Sequence, residues 1–386
     1  MNQTPDETLY DIAIVGAGIV GASVAFFAAP RSKVLLLEGE DAPGYHSTGR
    51  SAALYAPAYG PPQVRALTRA SRAFFDAPPS GFAAVPLLTP RPSLFVGAES
   101  DREALLAMHA GLIAEGIAAE LIDGAEVRLR VPVMRPLASA LGLLDPGSSD
   151  IDVDALLQGY LRGARAAGAR LETGARVQAL QRSGGVWRLQ TADGRSFRAR
   201  QVVNAAGAWA DAVAALAGAA PLGVQPRRRS AFVFDAPPGV DCAHWPAVVA
   251  ADESWYLKPE AGLLLGSPAN ADPVSAHDVV AEELDVALGI HRIEAATTLQ
   301  IRRPRRTWAG LRSFVPDGEP VCGFDSAAEG FFLGRGAGRL RHPEQPGLRP
   351  VVRRAAGRRR RAPRAAIAGA GRASFARRPA MVASCP

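Results

Sequence analysis

Near its start the sequence reads Asp11-Ile-Ala-Ile-Val15, Gly16-Ala-Gly18-Ile-Val-Gly21, Ala22-Ser-Val-Ala-Phe-Phe-Ala-Ala29, Val34-Leu-Leu-Leu37 and Glu38. This is the order strand, glycine turn, helix, strand, acid. In such a unit the glycines permit the tight turn, the approach of a pyrophosphate to the backbone, and close packing of helix on strand. The start of the helix attracts phosphate, and the acid can accept hydrogen bonds from ribose hydroxyls. The pattern predicts a dinucleotide-binding lobe.

The loop that follows Glu38 bears on the choice of dinucleotide. It reads Gly44-Tyr-His-Ser-Thr-Gly-Arg-Ser-Ala-Ala53 and is rich in small side chains and hydroxyls. Such a loop can lie close along a pyrophosphate and a flavin ring, although the same composition suits an ordinary surface loop. Its position directly after the strand that ends in an acid favours FAD.

The rest of the chain shows two alternating patterns. Residues 150–215 contain an amphipathic helix, short alternating strands and a final buried strand, which continue the α/β pattern. Residues 222–311 show short alternating runs and one helical stretch, 282–296, which are typical of an antiparallel sheet with a helix. The sequence therefore predicts a second lobe.

The composition excludes several classes of protein. The 386 residues are 48% hydrophobic and 21% charged, unlike a disordered, collagen-like or disulfide-scaffold chain. No apolar run reaches the roughly 18 residues of a membrane span, and the polar start is unlike a signal peptide. The three cysteines form no Cys-x-x-Cys pair. We expect a cytoplasmic protein without an integral membrane segment or a metal site.

The net charge of +7 is unevenly distributed. Residues 333–386 hold 14 Arg, no Lys and a single acid, Glu344, and therefore carry +13, which leaves −6 for the preceding 332 residues. Because the main body is mildly acidic, we expect no nucleic-acid partner.

Several motifs resemble those of the D-amino-acid oxidase superfamily of FAD enzymes. They are the glycine turn with Glu38, His46-Ser-Thr-Gly-Arg-Ser-Ala-Ala53, Val202-Val-Asn-Ala-Ala-Gly-Ala-Trp209 and Trp308-Ala-Gly-Leu-Arg312. Longer stretches between Tyr10 and Phe332 are similar to bacterial D-arginine dehydrogenases. These stretches are 44–60, 62–67, 225–232, 256–259 and 263–272.

The resemblance, together with the two patterns, implies an α/β fold of two lobes. One is a Rossmann-like FAD-binding domain of the glutathione-reductase type, and the other is a substrate domain built on a mixed or antiparallel β-sheet. The active site is expected between them. The predicted ranges are 1–80, 150–215 and 313–332 for the FAD-binding domain, 81–149 and 216–312 for the substrate domain, and 333–386 for a basic tail.

The resemblance also implies the site residues. The cofactor-binding set is Gly16, Ala17, Gly18, Ile19, Gly21, Glu38, Gly39, His46, Ser47, Thr48, Gly49, Arg50, Ser51, Ala52, Ala53, Leu54, Val177, Ala206, Gly207 and Trp209. For the substrate, Arg229 and Arg312 are expected to clamp a carboxylate, Tyr256 to add a hydroxyl there, and Tyr59 to cover the substrate as an aromatic lid. Tyr59 and Tyr256 are also the catalytic candidates. Arg229 stands in a run of three arginines, and the motif does not fix which of them faces the substrate. The alternatives are surface charges for the arginines and half-buried packing for the tyrosines.

The implied reaction is oxidative deamination of a D-amino acid. Hydride leaves Cα for flavin N5, and the imino acid hydrolyses to a 2-oxo acid and ammonia. The expected electron acceptor is a quinone or another acceptor that is not O2, and peripheral contact with the inner membrane is compatible with this. Two alternatives stay open: a related amine or glycine oxidase of the same superfamily, and an inactive product of a damaged gene.

Two positions depart from the D-arginine dehydrogenase pattern. Leu54 stands where that family has a histidine beside flavin and substrate, and Ser93 stands where it has a glutamate that meets the guanidinium of D-arginine. Loss of an anion that pairs with a cationic side chain lowers the preference for that side chain. We therefore predict a weakened preference for D-arginine.

The resemblance stops after Phe332. A shift of the reading frame by one base, with suitable codons, would restore the glycine-rich loop that the family has there, and the ratio of 42 Arg to 2 Lys indicates a GC-rich gene. We interpret residues 333–386 as the product of a frameshift, aberrant or disordered, which predicts weak FAD binding if the protein is made in this form. The alternative is a genuine basic tail for nucleic acid or an acidic membrane.

Overall fold

The structure is a computed structural model that describes residues 8–316, 318 and 320–335. Its α-helices are α1 (Ile19–Ala28), α2 (Pro62–Asp76), α3 (Arg102–Ala114), α4 (Gly124–Arg130), α5 (Val153–Ala166), α6 (Ala210–Leu216) and α7 (Glu283–Ala296). Its strands are β1 (Leu9–Val15), β2 (Val34–Leu37), β3 (Leu54–Tyr55), β4 (Leu88–Pro90), β5 (Ser93–Gly97), β6 (Glu120–Asp123), β7 (Leu141–Asp145), β8 (Ser149–Ile151), β9 (Arg170–Glu172), β10 (Val177–Ser183), β11 (Val186–Thr191), β12 (Ser196–Asn204), β13 (Gln225–Phe234), β14 (Ala247–Ala250), β15 (Tyr256–Glu260), β16 (Leu263–Ser267), β17 (Asp272–Pro273), β18 (Arg306–Phe314), β19 (Val321–Phe324) and β20 (Phe331–Arg335).

The first sheet has the strand order β10-β11-β12-β1-β2-β9, with β20 beside β12 and β19 beside β20. Strands β12, β1, β2 and β9 are parallel, as is the pair of β20 with β12, whereas β10, β11 and β12 form an antiparallel meander. Strand β2 is buried on both faces, which explains its uninterrupted run of apolar residues. Helices α1 and α5 pack on one face of the parallel strands. Strands β10 and β11 of the meander, together with α6, cover the other face.

The second sheet has the order β17-β13-β16-β15-β14-β5-β7-β6, with β18 also paired to β13. Its pairs are antiparallel except for β14 with β5. Helices α4 and α7 pack against this sheet through a separate apolar core. A small sheet of β3, β8 and β4 completes the fold. The predicted α/β class, with a parallel sheet and a mixed sheet, is confirmed.

The strands of the two large sheets can be compared with the predicted domain ranges. Those of the first sheet fall within 1–80, 150–215 and 313–332, except that β20 continues to Arg335. Those of the second fall within 81–149 and 216–312, except that β18 continues to Phe314. The first three residues of the predicted tail are therefore strand, and Leu333 is buried. Residues 336–386, on which the frameshift interpretation mainly depends, lie outside the described residues.

Within the described ranges, no helix combines the length and the apolar character that crossing a bilayer requires.

Candidate active site

The glycine turn joins β1 to α1, and its geometry depends on the missing side chains. Gly16 has φ +102°, and a Cβ built there would lie 2.5 Å from the carbonyl oxygen of Ala205. A Cβ on Gly21 would overlap the carbonyl oxygen of Gly16. A Cβ on Gly18 would meet only Thr48 Oγ1, at 3.2 Å. The first and third glycines therefore serve close packing within the protein, and the second keeps the surface of the turn open.

Glu38 connects the end of β2 to this turn. Its Oε2 accepts a hydrogen bond from the backbone N–H of Ala17 at 2.8 Å, and its Oε1 accepts one from the N–H of Glu40 at 3.1 Å. The carboxylate is thereby held against the wall of the cavity that the turn opens onto.

The loop after β2 packs against the start of α1 and against β18. Thr48 Oγ1 accepts a hydrogen bond from the N–H of Ile19, the first residue of α1, at 3.1 Å. Ser47 Oγ donates to the carbonyl of Leu311 at 2.5 Å. The ring of His46 lies 4.5 Å from that of Trp209, centre to centre, and its Nε2 lies 2.9 Å from Glu40 Oε1. These contacts bring the loop 44–53 together with two distant motifs, those that end at Trp209 and Arg312.

A cavity of about 400 Å³ runs between the turn, this loop, β10 and the segment after β12. Of the predicted cofactor residues, those that line it are Gly16, Gly18, Ile19, Glu38, Gly39, His46, Ser47, Thr48, Val177, Ala206, Gly207 and Trp209. The other predicted cofactor residues do not line it. Among these, Arg50, Ser51, Ala52, Ala53 and Leu54 line a neighbouring cavity instead. Ala17, Gly21 and Gly49 line neither cavity. The N–H of Ala17 donates to Glu38, the N–H of Gly49 donates to the carbonyl of Gly44, and Gly21 packs against Gly16.

The Arg50 side chain is bonded to the segment before α7. Its guanidinium donates to the carbonyl of Val279 at 2.8 Å and pairs with Asp278 at 2.5 Å. These contacts tie the loop to the segment before α7.

The first cavity fits FAD. The turn around Gly18 is clear of side chains where a pyrophosphate would approach, and Thr48 fixes the start of α1. Glu38 stands at the end of β2 on the cavity wall, where ribose hydroxyls are bound in this type of fold. The wall is otherwise made mainly of glycine, alanine and aliphatic residues, which suit the flat rings of a flavin dinucleotide.

The second cavity, of about 150 Å³, adjoins the first. All four predicted substrate residues, Tyr59, Arg229, Tyr256 and Arg312, line it, and Arg312 lines both cavities. The two departures from the family pattern, Leu54 and Ser93, line it as well. The structure thus brings together residues that come from a loop and from β3, β5, β13, β15 and β18.

The strand β13 resolves which of the three arginines faces this cavity. Side chains alternate along a strand, so that Arg227 and Arg229 lie on one face and Arg228 on the other. Arg228 pairs with Asp285 on the side of α7, at 2.8 Å. Arg229 lines the cavity, and Arg312 on the neighbouring β18 lies diagonally across from it, because the register places Arg312 opposite Arg227.

Arg229 and Arg312 form an uncommon arrangement, because two like charges stand close together and are largely shielded from solvent. Arg312 is only 8% exposed, and Arg229 is partly buried. Burial, and then the positive charge of Arg312, lower the pKa of Arg229 to about 10. The Arg229 guanidinium is therefore charged at neutral pH.

The sequence patterns missed an acid that lines this cavity, Glu253. Glu253 lies in the turn between β14 and β15 with φ +55°, and its Oε2 accepts a hydrogen bond from the Tyr59 hydroxyl at 3.1 Å. In the sequence, the only indication of a role for Glu253 was its position three residues before Tyr256. Acidic residues are common in turns, so that its residue type alone does not indicate a site. The pair joins the expected lid residue to the second sheet.

Comparisons with known proteins agree with this architecture. Residues 11–341 match the sequence model of the DAO family, described as FAD dependent oxidoreductase. The match reaches past Phe332, where the quoted motifs end. The crystal structure of glycine oxidase from Geobacillus kaustophilus superposes with a TM-score of 0.80 over 92% of this chain and 96% of that one, and at 23% identity this shows a shared fold.

Curated relatives are similar over shorter stretches. Human mitochondrial dimethylglycine dehydrogenase is 37% identical over 99 residues, which are 25% of this chain and 11% of that protein. L-2-hydroxyglutarate dehydrogenase from Escherichia coli is 26% identical over 223 residues, which are 55% of this chain and 51% of that protein. The chain thus spans about half or less of these relatives' length. The family match covers most of the chain, and the chain belongs to the DAO family of FAD-dependent oxidoreductases.

Proposed function

We propose that the protein catalyses the FAD-dependent oxidative deamination of D-amino acids. The observation that carries this proposal is the pair of charged arginines, Arg229 and Arg312, in a small cavity that adjoins the FAD cavity. Resemblance to D-arginine dehydrogenases supports the D configuration. The structural neighbours include a glycine oxidase and an L-proline dehydrogenase, which supports an amino acid or a related amine as the substrate.

A carboxylate is the ligand that this cavity would stabilise most. Two guanidiniums at close range repel each other, and an anion between them removes that repulsion and forms charge-assisted hydrogen bonds. The planar fork of arginine binds carboxylate in a bidentate manner and fixes its plane. Tyr256, on β15 in the same cavity, adds a hydroxyl that can donate to a carboxylate oxygen.

The remaining contacts orient the rest of the substrate. With the carboxylate held on the second sheet, Cα would face the first cavity, because Arg312 stands at the junction of the two. Tyr59, held by Glu253, covers the cavity on the side of the loop. When bound, FAD supplies the two-electron acceptor for oxidation of the Cα–N bond. The protein contributes orientation and the exclusion of water.

The wall that would meet the substrate side chain favours neutral residues. Leu54, Phe95 and Val249 are apolar, and Ser93 is a neutral hydroxyl that is only 2% exposed. Glu253 is the acid among the lining residues, and it is bonded to the Tyr59 hydroxyl. We therefore propose D-leucine or D-methionine as better substrates than D-arginine.

The test is the visible spectrum of purified holoenzyme before and after anaerobic addition of D-leucine, D-methionine, D-arginine or L-leucine. We expect a flavin spectrum that bleaches with the D-amino acids only, and a higher kcat/KM for D-leucine and D-methionine than for D-arginine. Far higher kcat/KM for D-arginine would contradict the proposed specificity. A protein that binds FAD but is bleached by none of them would contradict the proposed reaction.

A second candidate is oxidation of glycine or a small secondary amine. The volume of the substrate cavity, about 150 Å³, favours a small substrate. Glycine and sarcosine in the same anaerobic assay distinguish this candidate.

For the electron acceptor we propose a quinone or another acceptor that is not O2. Stopped-flow reoxidation of the reduced enzyme by O2 and by a quinone tests this proposal.

A further inference from the structure

Behind the substrate cavity lies a buried polar cluster that the proposed mechanism does not use. Its members, which lie on β13, β16, the turn after β16 and α7, are Arg228, Ser230, Ser267, Asn270 and Asp285. Both serines are fully buried, and Asp285 is 8% exposed. A buried network of this kind, when satisfied, fixes a local geometry.

The cluster ends on the guanidinium of Arg229. Arg229 Nε donates to the carbonyl oxygen of Asn270 at 2.5 Å, and this is the one hydrogen bond that the described residues give the Arg229 side chain. With Nε engaged in the wall, the two terminal nitrogens of the fork remain for the cavity, which Arg229 lines.

Asn270 is itself anchored on both sides. Its Oδ1 accepts a hydrogen bond from the N–H of Ser230 at 2.8 Å, and its Nδ2 donates to Asp285 Oδ2 at 2.9 Å. The preceding residue, Ala269, has φ +50°, a conformation that is strained for alanine. Ser267 Oγ accepts a hydrogen bond from the Ala269 N–H at 3.0 Å and so supports this turn. The turn therefore holds the Asn270 carbonyl toward Arg229.

Asp285 is the common acceptor of the cluster. Its Oδ2 receives Arg228 Nε and Ser230 Oγ, each at 2.8 Å, in addition to Asn270. The residue lies in the first turn of α7, where the helix dipole favours a negative charge. Three donors that converge on one carboxylate oxygen fix β13, the Asn270 turn and α7 relative to one another.

We infer that Asn270 and Asp285 are positioning residues, which orient Arg229 for the carboxylate of the substrate. The inference rests on the proposed function, since it concerns the same carboxylate. Neither residue lines the cavity, so that both act through Arg229. Their loss should weaken recognition of the carboxylate and leave recognition of the rest of the substrate unchanged.

The test uses the holoenzyme, with D285N as the main variant and N270A as the second. Binding of 2-oxo-4-methylpentanoate, the product expected from D-leucine, is measured by calorimetry, and kcat/KM is measured for D-leucine and for D-leucinamide, which lacks the carboxylate. We expect D285N to weaken binding of the oxo acid, and to lower kcat/KM for D-leucine, by about tenfold or more. The value for D-leucinamide should change less than about twofold. N270A should act in the same direction, and it covers the case in which D285N does not fold.

The matched control is D235N, which removes an exposed Arg–Asp pair, that of Asp235 with Arg305, just after the same strand. It should change none of these quantities. Equal losses for D-leucine and its amide, or a fall in FAD content and melting temperature with unchanged selectivity, would show a purely structural role and overturn the inference. If the wild-type protein neither binds the oxo acid nor is reduced by any D-amino acid, the proposed function fails and the inference fails with it. If the wild type does both and neither variant differs from it, only the inference fails.

Discussion

The two cavities of this protein are built from different materials. The FAD cavity is shaped by backbone and by small residues, such as Gly16, Gly18 and Ala206, and one of its charged groups, Glu38, is held by backbone N–H groups. The second cavity, the proposed substrate cavity, is shaped by long side chains on a sheet, among them the like-charged Arg229 and Arg312. Substitutions that add side-chain atoms should therefore impair FAD binding in the first cavity. Substitutions that remove a charge should impair ligand binding in the second cavity and leave the fold intact.

The largest effect is expected from G21A. The new methyl group would overlap the Gly16 carbonyl, so that α1 must move away from β1, at a cost of about 3 kcal/mol in the free energy of unfolding. That is a large share of the roughly 5–15 kcal/mol typical of a protein. We expect little soluble protein and little bound FAD, as measured by yield and by the absorbance ratio of flavin to protein.

G111A is the matched control for this substitution. Gly111 lies inside α3, and a Cβ there meets nothing within 4 Å. It should keep FAD and gain about 0.5–1 kcal/mol, because alanine favours a helix over glycine. A G21A protein with normal FAD content would show that the turn is not packed as described.

The second effect is expected from R229M, and it should separate function from stability. Loss of one charged group from a desolvated recognition site costs about 2–5 kcal/mol, or roughly 30- to several-thousand-fold in kcat/KM for the D-amino acid. The free energy of unfolding should stay equal or rise, because the repulsion from Arg312 is removed. Denaturant unfolding and steady-state kinetics measure the two quantities.

The exposed Arg305 provides the control R305M, which should alter neither the kinetics nor the FAD content. A large loss of FAD in R229M would mean that the two cavities are not independent.

The third effect is a dependence of carboxylate binding on pH. Because the pKa of Arg229 is lowered to about 10, the free protein loses this charge as the pH rises through that value. Affinity for the 2-oxo acid, which has no amine to titrate, should stay level up to about pH 9 and fall above it. Calorimetry across this range measures it. The weak residual binding of R229M should lack this step, and an unchanged step in that variant would assign the titration to another group.

The first sheet could be predicted because its signals are local. The apolar runs 11–15 and 34–37 became β1 and β2 within two residues at each end. The helix predicted at Ala22 begins instead at Ile19, because the extended Gly18 is already the N-cap and the residues after it form the first turn.

The second sheet was predicted only as a class, because its pairing is not local. Strand β14 pairs in parallel with β5, so that Val248 lies opposite Leu94, and no short pattern encodes that register. Helix α3 was not predicted. It buries only Leu105 and Leu112 completely, so that its apolar stripe is faint in the sequence.

The candidate site residues divide in the same way, into those that local motifs indicate and those that depend on distant contacts. The motifs indicated Arg312, Tyr256 and the glycine turn. Strand alternation then separated Arg228 from its neighbours, and the position of the second cavity distinguished Arg229 from Arg227. Glu253 could not be found in this way, since its contact with Tyr59 joins residues 194 positions apart through a turn with positive φ. The neighbours of Arg229 in the wall, Asn270 and Asp285, likewise depend on how β16 and α7 meet β13.

The smallest effect is expected far from both cavities, in the turn between β11 and β12. A hydrogen bond from Arg195, and then one from Thr191, lower the pKa of Asp193 to about 2. A carboxyl with a lowered pKa stabilises the fold above its ordinary pKa of about 4, and this contribution is lost as the pH falls toward about 2. The side chain is 43% exposed, so that solvent screens the pair and D193N should cost less than about 1 kcal/mol at pH 7. The difference between D193N and the wild type in urea unfolding should narrow as the pH is lowered from 7 to about 3, and kcat/KM should not change. An unchanged difference at low pH would mean that Asp193 acts through its shape rather than its charge. A loss of activity would mean that the meander, which carries Val177 in the FAD cavity, is coupled to the substrate cavity more closely than their separate construction implies.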